Sequence, residues 1–459
     1  MLVPSKGFMK WDKAGVVRRP LFVLASAILV ALLVVVAQNP LPAVDSQLSA
    51  GALTVFNRTS AAFEKPASNL TPDEIARHDV GDPLFERSHI PLATHQDAGL
   101  GPLFNANSCV ACHVRNGRGA PVPGVSLVRV ALQEAEGATP VPEWGWQIQD
   151  HAIFGHQPEA TMDLTWQEEP RAGNEPPLQK VHVDLIRPNG DVVADEEMNR
   201  SLRTAPPLIG LGLLEAVPDQ EILSHADPDD RDGDGISGRA VLLEDEHGQQ
   251  ALGRFGWKAG TATVQEQTAE AYLNDMGLTT AAGPETSTTT EGQPADITWE
   301  ELTAVTFYSQ SLGAPATKWS GKDPVVSKGT SLFGGLQCAA CHVPSHATGA
   351  DPDVVVQAIR AQTIWPYTDL LVHDMGPGLD DGVAEHGYTG SAEWRTAPLW
   401  GLGLTNRVHG KAGYLHDGRA RTVDEAIRWH GGEAEASRKS YLALAPRDRQ
   451  ALLDWLQGL

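Results

Sequence analysis

The chain has 459 residues, of which 41% are hydrophobic and 6% aromatic, and its formal charge is −23. That length exceeds one typical core, so two domains are expected. The acidic balance excludes nucleic acid, whose phosphates need a basic footprint, and would instead steer a basic electron-transfer protein toward the chain.

In chain order, Lys6, Lys10, Lys13, Arg18 and Arg19 precede an apolar run at 21–37, after which the sequence turns polar and proline-rich. A one-sided basic flank before an apolar stretch is the form of a secretory signal, and the run is also just long enough to span a bilayer. Residues 1–40 therefore read as a signal peptide or a membrane anchor, which places the protein in the periplasm or on the periplasmic face of the inner membrane. Capping boxes start helices at Thr71-Pro-Asp-Glu74, Thr298-Trp-Glu-Glu301 and Thr422-Val-Asp-Glu425. Strand patterns occupy 125–132 and 181–186, the second running into the turn Arg187-Pro-Asn-Gly190. The polar stretch 279–296 reads as a linker, which divides the chain at 41–285 and 286–459. An amphipathic helix at 450–456 closes it.

The four cysteines occur as Cys109-Val-Ala-Cys112-His113 and Cys338-Ala-Ala-Cys341-His342. Two thiols three positions apart reach the two vinyl groups of one haem as thioethers, and the adjacent His turns onto the iron. Disulfides of this spacing would close only tiny loops. A four-thiolate zinc site needs no His after each pair, and a thioredoxin-like pair would occur once, near a βαβ pattern. The reading is two covalently bound haem c groups, with His113 and His342 as proximal ligands and no thiol left for thiol chemistry.

The motifs sit in repeated contexts. Leu103-Phe104 precedes the first as Leu332-Phe333 precedes the second, and Arg203-Thr-Ala-Pro206 is echoed by Arg395-Thr-Ala-Pro398. Two matches in the same order indicate duplication. The expected fold is mainly α, with two cytochrome c-like haem domains, the first carrying a β-containing insertion. A Leu-Phe helix would pack on each haem.

Among the strings Gly101-Pro-Leu-Phe-Asn-Ala-Asn-Ser-Cys109, Asp232-Gly-Asp-Gly-Ile-Ser-Gly-Arg239, Gly253-Arg-Phe-Gly-Trp-Lys258, Leu415-His-Asp-Gly-Arg419 and Trp429-His-Gly-Gly-Glu433, the chain resembles the bacterial dihaem oxidoreductases related to dihaem cytochrome c peroxidases. The resemblance runs from about Asp82 to the C-terminus. It implies peroxidase-type reduction of hydrogen peroxide, with the His113 haem as the peroxide site and the other shuttling electrons. A small donor protein or a quinone-linked donor would supply them. A non-catalytic electron-transfer cytochrome and a dihaem oxygenase or protein-modifying enzyme are the alternatives.

Met375 and Met276, each followed by Gly and preceded by Asp, are candidate distal ligands, since a Met thioether raises the haem potential. Glu393, His416 and Glu433 are candidate catalytic groups, the resemblance adding that His416 stands in a His-Asp-Gly string of the kind found near haem. Arg395 and Arg419 are candidate propionate partners. His430 shares a helix face with Val423 and Ile427. Trp257, Trp394, Trp400 and Trp429 are candidate electron relays. Asp230, Asp232 and Asp234 have the spacing that converges carboxylates on Ca²⁺, with Asp227 and Asp229 nearby, although Val241 stands where an EF-hand would place an acid.

Overall fold

Threonines open the principal helices. The computed structural model describes residues 47–459, apart from 92–98, 135–136, 172, 174, 245–247, 284–285, 352–354 and 386–388. The expected signal or anchor run lies outside the described residues. In chain order, the helices that build the sites are α1 (Pro72–Glu86), α2 (Cys109–Cys112), α3 (Asp219–Leu223), α4 (Val264–Met276), α5 (Trp299–Ser311), α6 (Pro324–Gly335), α7 (Val423–Trp429) and α8 (Pro446–Leu456). At α1, α4 and α5 a Thr hydroxyl accepts from the Glu amide three residues on, and that Glu carboxylate accepts from the Thr amide. Each box satisfies two otherwise orphaned donors. At α7 Thr422 accepts from the Glu425 amide, while Glu425 turns its carboxylate onto the Arg421 backbone and guanidinium.

The expectation of a mainly α fold of two cytochrome c-like domains is corrected. Of the described residues 31% are helical and 18% lie in strands, spread over several small sheets, so the chain is mixed α/β. Strand β1 (Leu127–Glu134) pairs antiparallel with β4 (Asn199–Arg203), while β2 (Thr161–Glu169) and β3 (Leu178–Ile186) pair along their whole length. Val128, Val130, Val183, Leu185 and Leu202 bury one side of this region, the alternation that pleated strands require. The β content also extends beyond the insertion, as in the ladder of β5 (Val372–Asp374) with β6 (Glu393–Arg395). Ladders this short leave no periodicity in a sequence, and frequent Gly and Pro keep the helices too short to dominate.

Two helix crossings hold the core near the cysteine motifs. α1 lies across α5, with Phe85 5.2 Å from Tyr308 between ring centroids, and α6 lies across α8, with Phe333 5.1 Å from Trp455. Each crossing turns on a glycine: a Cβ on Gly81 would strike the Ala304 carbonyl, and one on Gly329 would strike the Trp455 ring. Among the described residues no helix is long and apolar enough to cross a membrane.

Candidate functional site

Each cysteine motif lines a cavity. Cys109, Cys112 and His113 border one of about 280 Å³, and Cys338, Cys341 and His342 border one of about 210 Å³. All four cysteines are free, and burial pushes the Cys109 and Cys338 thiols up to about 12, with Cys112 and Cys341 also raised. Burial pushes His113 and His342 down to about 4, so both rings are neutral, the state that ligates a metal. His342 Nδ1–H donates to the Tyr367 carbonyl at 2.9 Å, leaving Nε2 with a bare lone pair. His113 lies against the Pro206 backbone, whose hydrogen bond partly opposes that lowering.

A common wall separates the cavities. Arg118, Trp257, Arg395, Ala397 and Pro398 line both. Arg118 Nε donates to the Gly413 carbonyl at 2.8 Å, and its guanidinium also meets the Leu415 carbonyl. Arg395 donates to the carbonyls of Gly256 at 2.9 Å and Thr396 at 3.2 Å. Neither guanidinium has an ion-pair partner among the described residues, and burial lowers both to about 10. A buried and a half-buried cation, hydrogen-bonded only to carbonyls among the described residues, fit a ligand that brings its own carboxylates, as haem propionates do. Trp257 Nε1 donates to the Thr204 carbonyl at 2.9 Å, and Arg118 lies 5.1 Å from its ring centroid.

The repeated sequence strings occupy corresponding places. Arg203 to Pro207 line the first cavity, and Arg395 to Leu399 line the second. Gly210 and Gly401, which follow them, both have φ of 70°, a left-handed turn that favours glycine. The Leu-Phe pairs differ. Leu332-Phe333 lies in α6 as expected, but Leu103-Phe104 is a two-residue strand paired with His151–Ala152. The expected Leu-Phe helix before the first motif is thus corrected: α1 takes its place, with Phe85 6.4 Å from His113 where Phe333 is 6.3 Å from His342.

The linings are chemically unequal. Arg129, Gln147, Glu270, Asp275 and Glu385 face the first cavity. Glu270, exposed toward open space, is raised to about 7 by desolvation and partly held down by Arg129. Asp275 is raised to about 6 by burial, although it accepts a hydrogen bond from Gln147 Nε2 at 2.9 Å. Among the described residues the second cavity has no carboxylate in its lining, which is mainly aromatic and aliphatic with His373, His416, His430 and Met375. Sequence reasoning missed Glu270, Asp275 and Arg118. Helical spacing offered one signal, since Gln267, Glu270 and Asn274 all face the first cavity from α4.

The predicted residues divide accordingly. Met276 lines the first cavity at the end of α4, packed in a core with Phe85 and Tyr272, and Met375 lines the second. His416 faces the second cavity, stacked on Trp394 at 3.7 Å, and burial with four nearby cations lowers it well below the ordinary range. His430 ends α7, donates Nδ1–H to the Ala426 carbonyl at 2.7 Å and lines the same cavity. Glu393 lines neither cavity; it pairs with Arg239 and is lowered by that bond against its burial. Glu433 also lies outside both, bonded to His373 at 2.7 Å and to Ser237. Arg419 pairs with Asp417 at 2.6 Å, again outside both linings. Trp394 lines the second cavity beneath the Lys258 ammonium, 4.0 Å from its ring centroid, Trp400 lines the first, and Trp429 lies against Arg171 and Arg419. Asp230, Asp232 and Asp234 bring carboxylate oxygens within 4.8 Å of one another on a surface loop.

Two cysteine-bearing cavities, each lined by the histidine of its motif and sharing a wall that carries two arginines, fit a pair of redox cofactors. Residues 43–139 and 190–459 match the family described as "Di-haem oxidoreductase, putative peroxidase", and the chain belongs to that family. It is therefore an oxidoreductase with haem cofactors. The unmatched residues 140–189 contain both β2 and β3. No curated protein matches. Among solved structures the chain is similar to Kuenenia stuttgartiensis hydrazine synthase pressurized with 20 bar xenon, at 13% identity and a TM-score of 0.33 over 86% of this chain and 94% of that one. A likeness that slight carries no argument.

Proposed function

We propose that the protein is an exported, periplasmic c-type dihaem peroxidase that reduces hydrogen peroxide to water at the His113 cavity, using electrons held at the His342 cavity. The observation that carries the assignment is the acidic lining of one cavity, which Glu270, Asp275 and Glu385 face, against a second lining that has no carboxylate among the described residues. Haem, when bound, would supply the redox chemistry by which peroxide, two electrons and two protons become two waters.

The chain's own residues do the rest. Cys109 with Cys112, and Cys338 with Cys341, would hold the two groups as thioethers, with His113 and His342 as axial ligands. Arg118 and Arg395 would bind and orient propionates from the common wall. Glu270 would deliver a proton from its carboxyl to the departing oxygen, and Asp275 would hold a second. The apolar second lining would exclude water, Met375 would be the ligand offered to the group held there, and Trp257 stands in the wall between the two. The N-terminal basic flank and apolar run support export, and the charge of −23 suits a small basic donor protein. A quinone-linked donor is the other source of electrons.

Calcium belongs to the same reading. Desolvation, then Asp232 and Asp230, raise Asp234, a repulsion that a bound Ca²⁺ would relieve. Chelation is expected to lower the Tm of the wild type but not that of Asp232→Asn.

An EPR spectrum of the ferric holoprotein, with peroxide turnover measured after reduction, tests the central claim. One high-spin and one low-spin centre are expected. Two low-spin centres without turnover would replace it with simple electron transfer.

A further inference from the structure

A third cluster of ligating side chains lies away from both cavity linings. Glu221 in α3 and His225 just beyond it stand four positions apart, the spacing that puts two side chains on one helical face. His346, in a two-residue strand paired with Thr363–Ile364, meets them. One ligating atom from each of the three lies within 4.8 Å of the others, and the His225 and His346 rings meet edge to face at 5.6 Å.

The His346 hydrogen bonds fix which nitrogen is available. Its Nε2 is 2.6 Å from the Thr368 carbonyl, an oxygen that only accepts, so Nε2 carries the hydrogen. In its neutral form the ring then presents Nδ1 as a bare lone pair. That side chain is 0% exposed, and Nδ1 makes no hydrogen bond among the described residues. It faces Glu221 Oε1 at 3.5 Å, two electron-rich atoms aimed at one space. A tetrahedron with zinc-like bonds of about 2.1 Å has edges of about 3.4 Å, so their separation is that of two ligands on one ion.

We propose that Glu221, His225 and His346 form a site for a zinc-type divalent cation, with the fourth position open to solvent beside the exposed His225. The Thr368 carbonyl is the outer partner that fixes the His346 tautomer, as metal-binding imidazoles commonly require. The carbonyl one residue earlier, that of Tyr367, does the same for His342. One short segment thus orients both the axial imidazole of the second cavity and the cation ligand.

The test uses holoprotein stripped with a chelator and dialysed against Zn²⁺ in excess Ca²⁺, with metal counted by mass spectrometry. One tightly held Zn²⁺ per chain is expected. His346→Ala and His225→Ala should each weaken it by more than about 100-fold, since losing even an outer partner costs roughly 10–100-fold. His225 is exposed, so His225→Ala should keep the wild-type haem spectrum and shows that the loss is local should His346→Ala fold poorly. Wild-type protein that takes up no Zn²⁺, or uptake unchanged in His225→Ala, would overturn the site.

Discussion

Phe85 stands 6.4 Å from His113 and Phe333 6.3 Å from His342, yet around these matched pairs the two cavities diverge. The first brings many charged and amide side chains to its lining, among them Glu270 and Asp275, whose carboxyls desolvation raises to about 7 and about 6. The second surrounds its motif with Phe333, Trp394, Tyr414, Leu452 and Leu456. The duplicated scaffold therefore repeats the means of holding a haem and leaves the surroundings to assign its work. Groups that move protons serve a site where oxygen bonds break, whereas an apolar lining suits electron storage because little reorganises when the charge changes.

Removing the cysteines of one motif separates the sites most sharply. Cys109→Ala with Cys112→Ala, and Cys338→Ala with Cys341→Ala, should each halve covalent haem and abolish peroxide turnover. The high-spin ferric signal should vanish only from the first variant; its loss from the second would reverse the assignment. Glu270→Gln should come next, lowering turnover by roughly 10²–10⁴-fold, the usual worth of a general acid. The wild-type rate should fall as pH rises through about 7, where Glu270 loses its proton, and the variant's pH–rate profile should lack that limb.

The two methionines refine the comparison. Met375→Ala should convert the low-spin centre to high spin; a centre that stays low-spin at a lower potential would give the ligand role to His430, whose Nε2 is not used in its bond to Ala426. Met276→Ala should leave the spectrum unchanged and cost about 2–5 kcal/mol in denaturant unfolding, as core truncations do. The smallest expected effect is at Asp275. Its folded-state pKa, about 6, is above the unfolded value, so its stabilising contribution is present below about pH 4 and is lost as pH rises through about 6. Asp275→Asn should flatten the stability profile over that window by about 1–3 kcal/mol.

Local chemistry made much of this visible in the sequence. The cysteine spacing, the threonine caps at 71 and 298, and the echoed Arg-Thr-Ala-Pro strings each depend on neighbours within a few residues. The structure places both echoes at corresponding cavities. The gap-free Leu-Phe match was equally clear as a string but unequal as backbone. Around Leu103-Phe104, the Gly101 amide donates to the Met276 carbonyl, and the Asn105 and Ala106 amides donate to the Asp275 carbonyl. That segment thus satisfies the open C-terminal end of α4 in place of forming a helix.

The sequence by itself determined the two Cys-x-x-Cys-His motifs and the repeated strings around them. Those follow from bond lengths along a few adjacent residues, which no later packing can alter. Only the tertiary structure decided that Phe85 replaces Phe104 and that α5, on the far side of the 279–296 stretch, crosses α1 beside the first cavity. It alone placed Arg118 and Arg395 in one wall and brought Glu270 and Asp275 to the first cavity. Those facts rest on contacts between residues far apart in the chain, where shape and desolvation select the partner and no spacing rule records the choice.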